Sequence, residues 1–111
     1  MKLTIGDFKT RGGMNSREHH YARAKRVKSE RAVVGWYLRG HPKPALPCVV
    51  TLTRIAPSSG LDPFENLPSS LKGVVDAIAE WMGVDDKDPA VKYQAQQERG
   101  PWAVRIEMAA P

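Results

Sequence analysis

The sequence predicts a single α+β domain, a small mixed sheet of about four strands with two main helices. Segments 48–55, 91–95 and 102–108 have the β-branched or alternating apolar composition that is typical of strands. Segments 16–38 and 67–82 instead repeat apolar residues at helical spacing. A chain of 111 residues has room for one hydrophobic core, so we expect one domain over the whole sequence.

The first half of the chain is expected to contribute two strands and one helix. Residues 2–9 suggest an opening strand, which Arg11-Gly12-Gly13 then interrupts. Asn15 followed three residues later by Glu18 has the form of a capping box, so a helix is predicted over 16–38. Cys48 to Ile55 is predicted as a central strand, with Cys48 buried in it. The inward stripe of the helix is expected to be His20, Ala24, Val27, Arg31, Val34 and Leu38.

A second helix is predicted to begin near Pro68, whose missing N–H costs nothing in a first turn. Gly83 suits its C-terminal cap, and Glu98-Arg99-Gly100-Pro101 is expected to form a hairpin between the last two strands. The apolar stripe of this helix is predicted to be Leu67, Leu71, Val74, Ile78 and Met82. A second stripe carries Lys72, Asp76 and Glu80 at intervals of four.

Charge is divided unevenly along the chain, which has a net charge of +5. Residues 1–54 carry a net charge of +9, whereas residues 62–88 carry −5. A basic excess of this size favours a polyanionic partner, most often nucleic acid. Five basic residues of the first helix form either a solvated face or a set of phosphate contacts: Arg17, Arg23, Lys25, Arg26 and Lys28.

A membrane partner is not expected, because no apolar run approaches the ~20 residues of a membrane span. The single cysteine, Cys48, cannot form an internal disulfide, and no apolar segment resembles a signal peptide. The expected location is therefore the cytoplasm.

Two groups of acids flank the second helix. Asp62 and Glu65 precede it, and Asp85, Asp86 and Asp88 follow it. They are either solvated loop acids or ligands of Mg²⁺ or Mn²⁺, which prefer oxygen donors. A helix of about fifteen residues is ~22 Å long, so the two groups meet only if a loop or strand folds back.

The order of these motifs resembles the signature of the RusA-type Holliday junction resolvases, which phages and prophages encode. The matching segments are Glu65-Asn66-Leu67, Lys72 to Ile78, and Asp85-Asp86 followed by Val91. The family pattern has Asp-x-Asp-Asn-Leu, then Lys and Asp four apart on a helix, then an Asp-Asp pair before a strand. This sequence has Glu65 in place of the second Asp, and Asp62 lies three residues before it rather than two. Pro68-Ser69-Ser70 stands as an insertion before the lysine.

The resemblance implies a homodimeric, Mg²⁺-dependent endonuclease that resolves branched DNA during recombination and repair. By position, it implies metal ligands at Asp62, Glu65 and Asp86 or Asp85, a catalytic role for Lys72 and a positioning or phosphate-binding role for Asn66. With this signature present, we expect the basic residues of the first helix to contact phosphates: Arg17, Arg23, Lys25, Arg26 and Lys28. Phe64, beside the acids, is interpreted either as a wedge for an unstacked junction or as a loop anchor in the core. Two alternatives stay open: a DNA-binding protein that keeps the fold without catalysis, and a protein whose acids contact a basic partner.

Overall fold

The computed structural model describes residues 1–10, 20–58 and 60–111, with the backbone alone for His20. The candidate phosphate contact Arg17 and the capping box of Asn15 and Glu18 lie outside these residues. The elements are β1 (Lys2–Gly6), α1 (His20–Leu38), β2 (Cys48–Ala56), α2 (Asn66–Ser70), α3 (Lys72–Met82), β3 (Val91–Arg99) and β4 (Ala103–Ala109). The predicted α+β class, with a four-stranded mixed sheet, is confirmed.

The sheet has the strand order β1-β4-β2-β3. β2 runs parallel to β3, with Cys48 opposite Val91, and antiparallel to β4, with Leu52 opposite Ile106. The predicted hairpin between β3 and β4 is therefore wrong, because β2 lies between them. The connection after Arg99 crosses the end of β2, where the Gly100 N–H donates to the Ala56 carbonyl at 3.0 Å.

The first strand is shorter than predicted and ends at Gly6 rather than at residue 9. Asp7 follows it with a φ of 53°, a left-handed conformation that an extended strand does not contain. Phe8 and Thr10 are nevertheless buried. The chain therefore leaves the sheet at Asp7 but stays packed against the protein as far as Thr10.

Both long helices contribute to one core with the sheet. Val34 and Leu38 of α1 are buried in the same cluster as Val50 and Leu52 of β2. The expected inward stripe of α1 is partly wrong, because Ala24 and Arg31 are exposed while Glu30 is buried. The buried face of α1 is thus displaced toward Glu30, and this leaves the guanidinium of Arg31 at the surface.

The predicted second helix is two helices, α2 and α3, separated at Leu71. The buried hydroxyl of Ser70 donates to the Leu67 carbonyl at 2.7 Å, the oxygen that a continuous α-helix would use for the Leu71 N–H. The Leu71 N–H instead bonds the Pro68 carbonyl at 3.1 Å, a tighter turn. The apolar stripe survives this break, since Leu67, Leu71, Val74 and Ile78 are buried and Met82 is partly buried. Gly83 caps α3 with a φ of 74°, as predicted.

Candidate active site

Lys72, the lysine of the RusA-like pattern, forms an ion pair with Asp76 on the same face of α3. It begins α3, its side chain is exposed, and its Nζ lies 3.5 Å from Asp76 Oδ2 one turn further along the helix. The i, i+4 spacing read from the sequence places both groups on one face, as expected. Lys72 therefore lies next to a carboxylate. Each residue of this pair lines a different surface depression, Lys72 a basic one and Asp76 an acidic one.

On one side of Lys72 is a depression of about 520 Å³ between α1 and the start of α3, the basic groove. It is lined by Arg23, Ala24, Val27, Lys28, Arg31 and Lys72. Four of these six side chains carry a positive charge, and three of the four come from α1. The structure thus brings cations of α1 together with Lys72, the lysine at the start of α3.

On the other side is a depression of about 350 Å³, the acidic pocket. It is lined by Arg31, Asp76, Ala79, Glu80, Val84, Asp85 and Asp86. Arg31 belongs to both surfaces, and its Nε and Nη2 each lie 2.7 Å from Glu80 Oε2. The acids that follow α3 therefore join the Asp76 and Glu80 stripe, rather than the acids that precede α2.

Local hydrogen bonds order the acidic turn after α3. The Lys87 N–H donates to Asp85 Oδ1 at 2.8 Å, and the Ala90 N–H donates to Asp88 Oδ1 at 2.9 Å. The hydrogen bond from the Lys87 N–H is the main cause that lowers the pKa of Asp85. A side-chain hydrogen bond with Asp86 and the positive charge of Lys87 lower this pKa as well. Asp85 is therefore a stably ionised carboxylate beside Asp86.

Tyr93 of β3 is close enough to this turn for the charge of Asp86 to affect it, and it was not among the expected site residues. Burial, with smaller contributions from the charges of Cys48, Asp86 and Asp76, raises its pKa to about 12. Its hydroxyl is buried and forms no hydrogen bond within the described part of the chain. Tyr93 is thus a neutral phenol near both Asp76 and Asp86.

Asp62 and Glu65 do not line the acidic pocket. The Asp62 carboxylate instead accepts hydrogen bonds from the N–H groups of Glu65 at 2.9 Å and Asn66 at 3.4 Å, and so orders the start of α2. Among the described residues, no group of three or more His, Cys, Asp or Glu side chains is arranged to hold a metal ion. The structure therefore separates the two acidic groups that flank the helices.

The expected phosphate contacts of α1 have different environments. Lys25 and Lys28 are exposed, whereas Arg26 forms an ion pair with Glu30 at 2.5 Å and Arg23 is half-buried at the groove. Asn66, the remaining expected contact, is the half-buried first residue of α2. Among the expected α1 contacts that the structure describes, Lys28 is thus the one that is both exposed and part of the basic groove.

Phe64 is 88% exposed at the tip of the turn that Asp62 orders. Its N–H faces Asp62 Oδ1 at 3.5 Å, while its ring projects away from the core. The interpretation of Phe64 as a loop anchor in the core is therefore wrong.

Three residues of this site were not singled out as functional from the sequence: Asp76, Tyr93 and Arg31. The signal for Asp76 was present, because it is the Asp four residues after Lys72. Arg31 was placed on the buried stripe, and Tyr93 was interpreted only as part of an alternating strand. Their positions depend on how α1, α3 and β3 pack, which no local pattern encodes.

Comparison with protein-family models gives no match to this chain, and comparison with curated proteins gives no matching relative. Within the described residues, none of the helices has the length and apolar character needed to cross a membrane.

Proposed function

We propose that this protein is a RusA-type, metal-dependent endonuclease that cuts branched DNA. The observation that carries the proposal is that Lys72 lines the basic groove and pairs with Asp76, which lines the acidic pocket. Phosphodiester hydrolysis needs cations that hold the phosphate and carboxylates that hold a metal beside it. Both kinds of residue lie here on adjoining surfaces.

The basic groove would bind the DNA backbone. Lys28, Arg31 and Lys72 line it together with Arg23, so a strand in the groove would meet charges from both α1 and α3. Contacts of this kind supply affinity without sequence choice, because the phosphates are the same at every base pair. Lys72, at the end of the groove next to Asp76, would stabilise negative charge on the phosphate that is cut.

In this proposal the acidic pocket, rather than the acids before α2, would hold the magnesium ion. Asp76, Asp85 and Asp86 all line this pocket, and Mg²⁺ usually needs only one or two protein carboxylates beside waters and substrate phosphates. When bound, the metal would activate water and stabilise the leaving oxygen. In this proposal Asp62 and Glu65 would not bind metal but would stabilise the turn that carries Phe64. The Asp62 carboxylate already accepts a hydrogen bond from the Glu65 N–H there.

Phe64 would supply selectivity for branched DNA. An apolar ring that projects from the surface can enter a gap between unstacked bases, which are present at a junction and absent from a continuous duplex. The Asp62 turn would hold the ring in this position.

A homodimer completes the proposal, because symmetric cutting of a four-way junction needs two sites. The exposed face of α1 offers an apolar surface for it. Val33, Trp36 and Tyr37, at i, i+3 and i+4, are 41%, 68% and 44% exposed. Large apolar side chains that are exposed together often mark a protein interface.

The decisive experiment is cleavage of a synthetic four-way junction in the presence of Mg²⁺ or Mn²⁺. We expect the wild-type protein to nick the junction, and Lys72→Ala and Asp86→Asn to remove cleavage while the fold is retained by circular dichroism. Lys92→Gln, which removes one charge from the exposed part of β3, is the matched control and should cut like the wild type. Tight junction binding without cleavage under either metal would contradict the enzyme.

A second candidate function is a DNA-binding protein that keeps this fold without catalysis. The separation of Asp62 and Glu65 from the acidic pocket favours it, since the resemblance places these acids in one metal site. This candidate predicts salt-sensitive DNA binding and no saturable Mn²⁺ binding by paramagnetic broadening of the Asp86 amide signal. Saturable broadening that Asp86→Asn removes would argue for the enzyme instead.

A further inference from the structure

Arg54 is a charged residue on the core-facing side of β2, in the alternation that also buries Val50 and Leu52. It is only 4% exposed. Its Nε–H donates to the Thr10 carbonyl at 3.2 Å, and its guanidinium lies 5.4 Å from the centroid of the Trp102 ring. Burial is also the cause that lowers its pKa. Arginine nevertheless stays protonated in proteins, so this is a buried positive charge.

Buried charges in proteins are normally paired, because a lone one loses its hydration without compensation. None of the ion pairs within the described residues involves Arg54. Its two Nη groups form no hydrogen bond with a described residue, since its one side-chain bond is made by Nε. The guanidinium therefore has donors available for an acceptor that the described chain does not supply.

Arg54 opens onto a cavity of about 210 Å³ at the carboxyl ends of the two parallel strands, β2 and β3. This arginine cavity is lined by Arg54, Ser58, Gly60, Gln97, Glu98 and Arg99. Arg99, exposed at the end of β3, adds a second positive charge. The carboxylate of Glu98 is already held by Arg105, whose Nη1 donates to Glu98 Oε2 at 3.3 Å. Because Glu98 is paired with Arg105, the remaining charges of the cavity, those of Arg54 and Arg99, are positive.

The wall of the arginine cavity is fixed by Gln97. Its amide accepts from the Leu61 N–H at 2.7 Å and donates to the Leu61 carbonyl at 2.9 Å. Gly60 packs so closely on this amide that a Cβ there would come 2.9 Å from Gln97 Oε1. The cavity is therefore held open by hydrogen bonds that do not involve either arginine.

We propose that the arginine cavity binds a phosphate group, with Arg54 as the inner guanidinium and Arg99 as the outer one. Guanidinium groups match phosphate oxygens in a two-point, charge-assisted geometry, and pairing would compensate the buried charge. The cavity is separate from the acidic pocket, because Tyr93 and Arg99 lie six residues apart on β3, about 20 Å. This binding does not depend on DNA cleavage.

The test is a titration followed by the Nε–Hε signal of Arg54 in ¹⁵N-labelled protein, assigned with Arg54→Lys. Inorganic phosphate is one probe, and the thymidine dinucleotide dTpdT, which offers only a phosphodiester, is the other. We expect one of them to shift the signal with saturation. A response to inorganic phosphate alone assigns the cavity to free phosphate or a terminal phosphate, and a response to dTpdT assigns it to the nucleic-acid backbone.

Arg99→Gln is the second variant, because a change at an exposed strand end leaves the core intact. We expect it to weaken the affinity of the responding probe about fivefold or more, a loss of about 1 kcal/mol. Lys92→Gln on the same strand is the matched control and should bind like the wild type. The proposal is overturned if neither probe shifts Arg54, if chloride produces an equal shift, or if Arg99→Gln and Lys92→Gln bind alike.

Discussion

Gly73 of α3 lies against Glu30 of α1 so closely that a Cβ at position 73 would come 3.0 Å from Glu30 Cβ. The same Cβ would come 3.0 Å from the carbonyl oxygen of Val27. The two helices therefore cross at this glycine, directly beside Lys72. The crossing places Lys72 in the basic groove, since it holds the start of α3 against the middle of α1.

Gly73→Ala should destabilise the protein, because its methyl group must displace the α1 backbone. We expect a loss of about 1–3 kcal/mol, the usual cost of overpacking. Gly35→Ala is the matched control, since nothing lies within 4 Å of a Cβ there and α1 continues on both sides. It should stabilise by roughly 0.5–1 kcal/mol. Urea unfolding of both variants measures this, and equal effects would contradict the close crossing.

Lys28→Gln should weaken DNA binding without affecting the fold, because Lys28 is exposed in the basic groove. Losing one phosphate contact should lower the slope of log K against log salt concentration by about 0.9. Fluorescence anisotropy with a labelled duplex at several salt concentrations measures the slope. Lys92→Gln should leave it unchanged, and a similar fall in both variants would show that net charge, rather than the groove, determines binding.

Tyr93→Phe should remove a pH dependence of stability between about pH 10 and 12. The pKa of Tyr93 is about 12 in the folded protein, above the ~10 expected for an unfolded chain. The folded state therefore keeps the phenol proton longer, and this contribution is complete below pH 10 and is lost as the pH rises to 12. Absorbance titration near 295 nm should lose its highest phase in Tyr93→Phe and keep it in Tyr21→Phe.

Phe64→Ala should reduce the preference for branched DNA. The ring is almost fully exposed, so stability should change by no more than about 0.5 kcal/mol. Binding to a four-way junction should weaken relative to binding to a linear duplex of equal length, and gel-shift titration measures both. An unchanged ratio of the two affinities would show that the ring does not enter the junction.

Trp36→Asp should dissociate the proposed homodimer, because it places a charge in the exposed apolar face of Val33, Trp36 and Tyr37. Sedimentation velocity at several protein concentrations should show a dimer for the wild type and a monomer for the variant. Leu46→Ala, another exposed apolar residue outside this face, should leave the dimer intact. A wild-type protein that sediments as a monomer throughout would rule out this interface.

Local patterns were sufficient for the element types and for the buried face of α2 and α3, but not for that of α1. The stripe from Leu67 to Ile78 is buried as predicted, and Cys48 lies in the central strand. The partner of each strand could not be predicted, because β2 enters between two strands that are separated by only three residues. The break at Leu71 was also missed, since it depends on whether the Ser70 hydroxyl takes the Leu67 carbonyl.

The sequence predicted which types of residue form the candidate site better than it predicted which of them lie together. Lys72 and Asp86 were identified by their motifs, but whether the acids on either side of the helices converge was left open by their spacing, and only the resemblance placed them in one metal site. The Asp62 carboxylate accepts a hydrogen bond from a backbone N–H of its own turn. Asp86 instead lies near Asp76 and Tyr93. Competition between a turn and a metal for one carboxylate depends on loop geometry, which residue spacing does not specify.

The position of β2 between β4 and β3 also determines how slowly its backbone amide protons exchange with solvent. Along their central residues, β2 and β4 are paired on both edges, whereas β1 and β3 each pair on one edge within the described sheet. Exchange of a β2 amide such as Leu52 with deuterium therefore requires opening of the whole sheet. In a solution of heavy water, the amides of β2 and of the equally enclosed β4 should be the last to disappear from the spectrum, and their rates should report global stability directly.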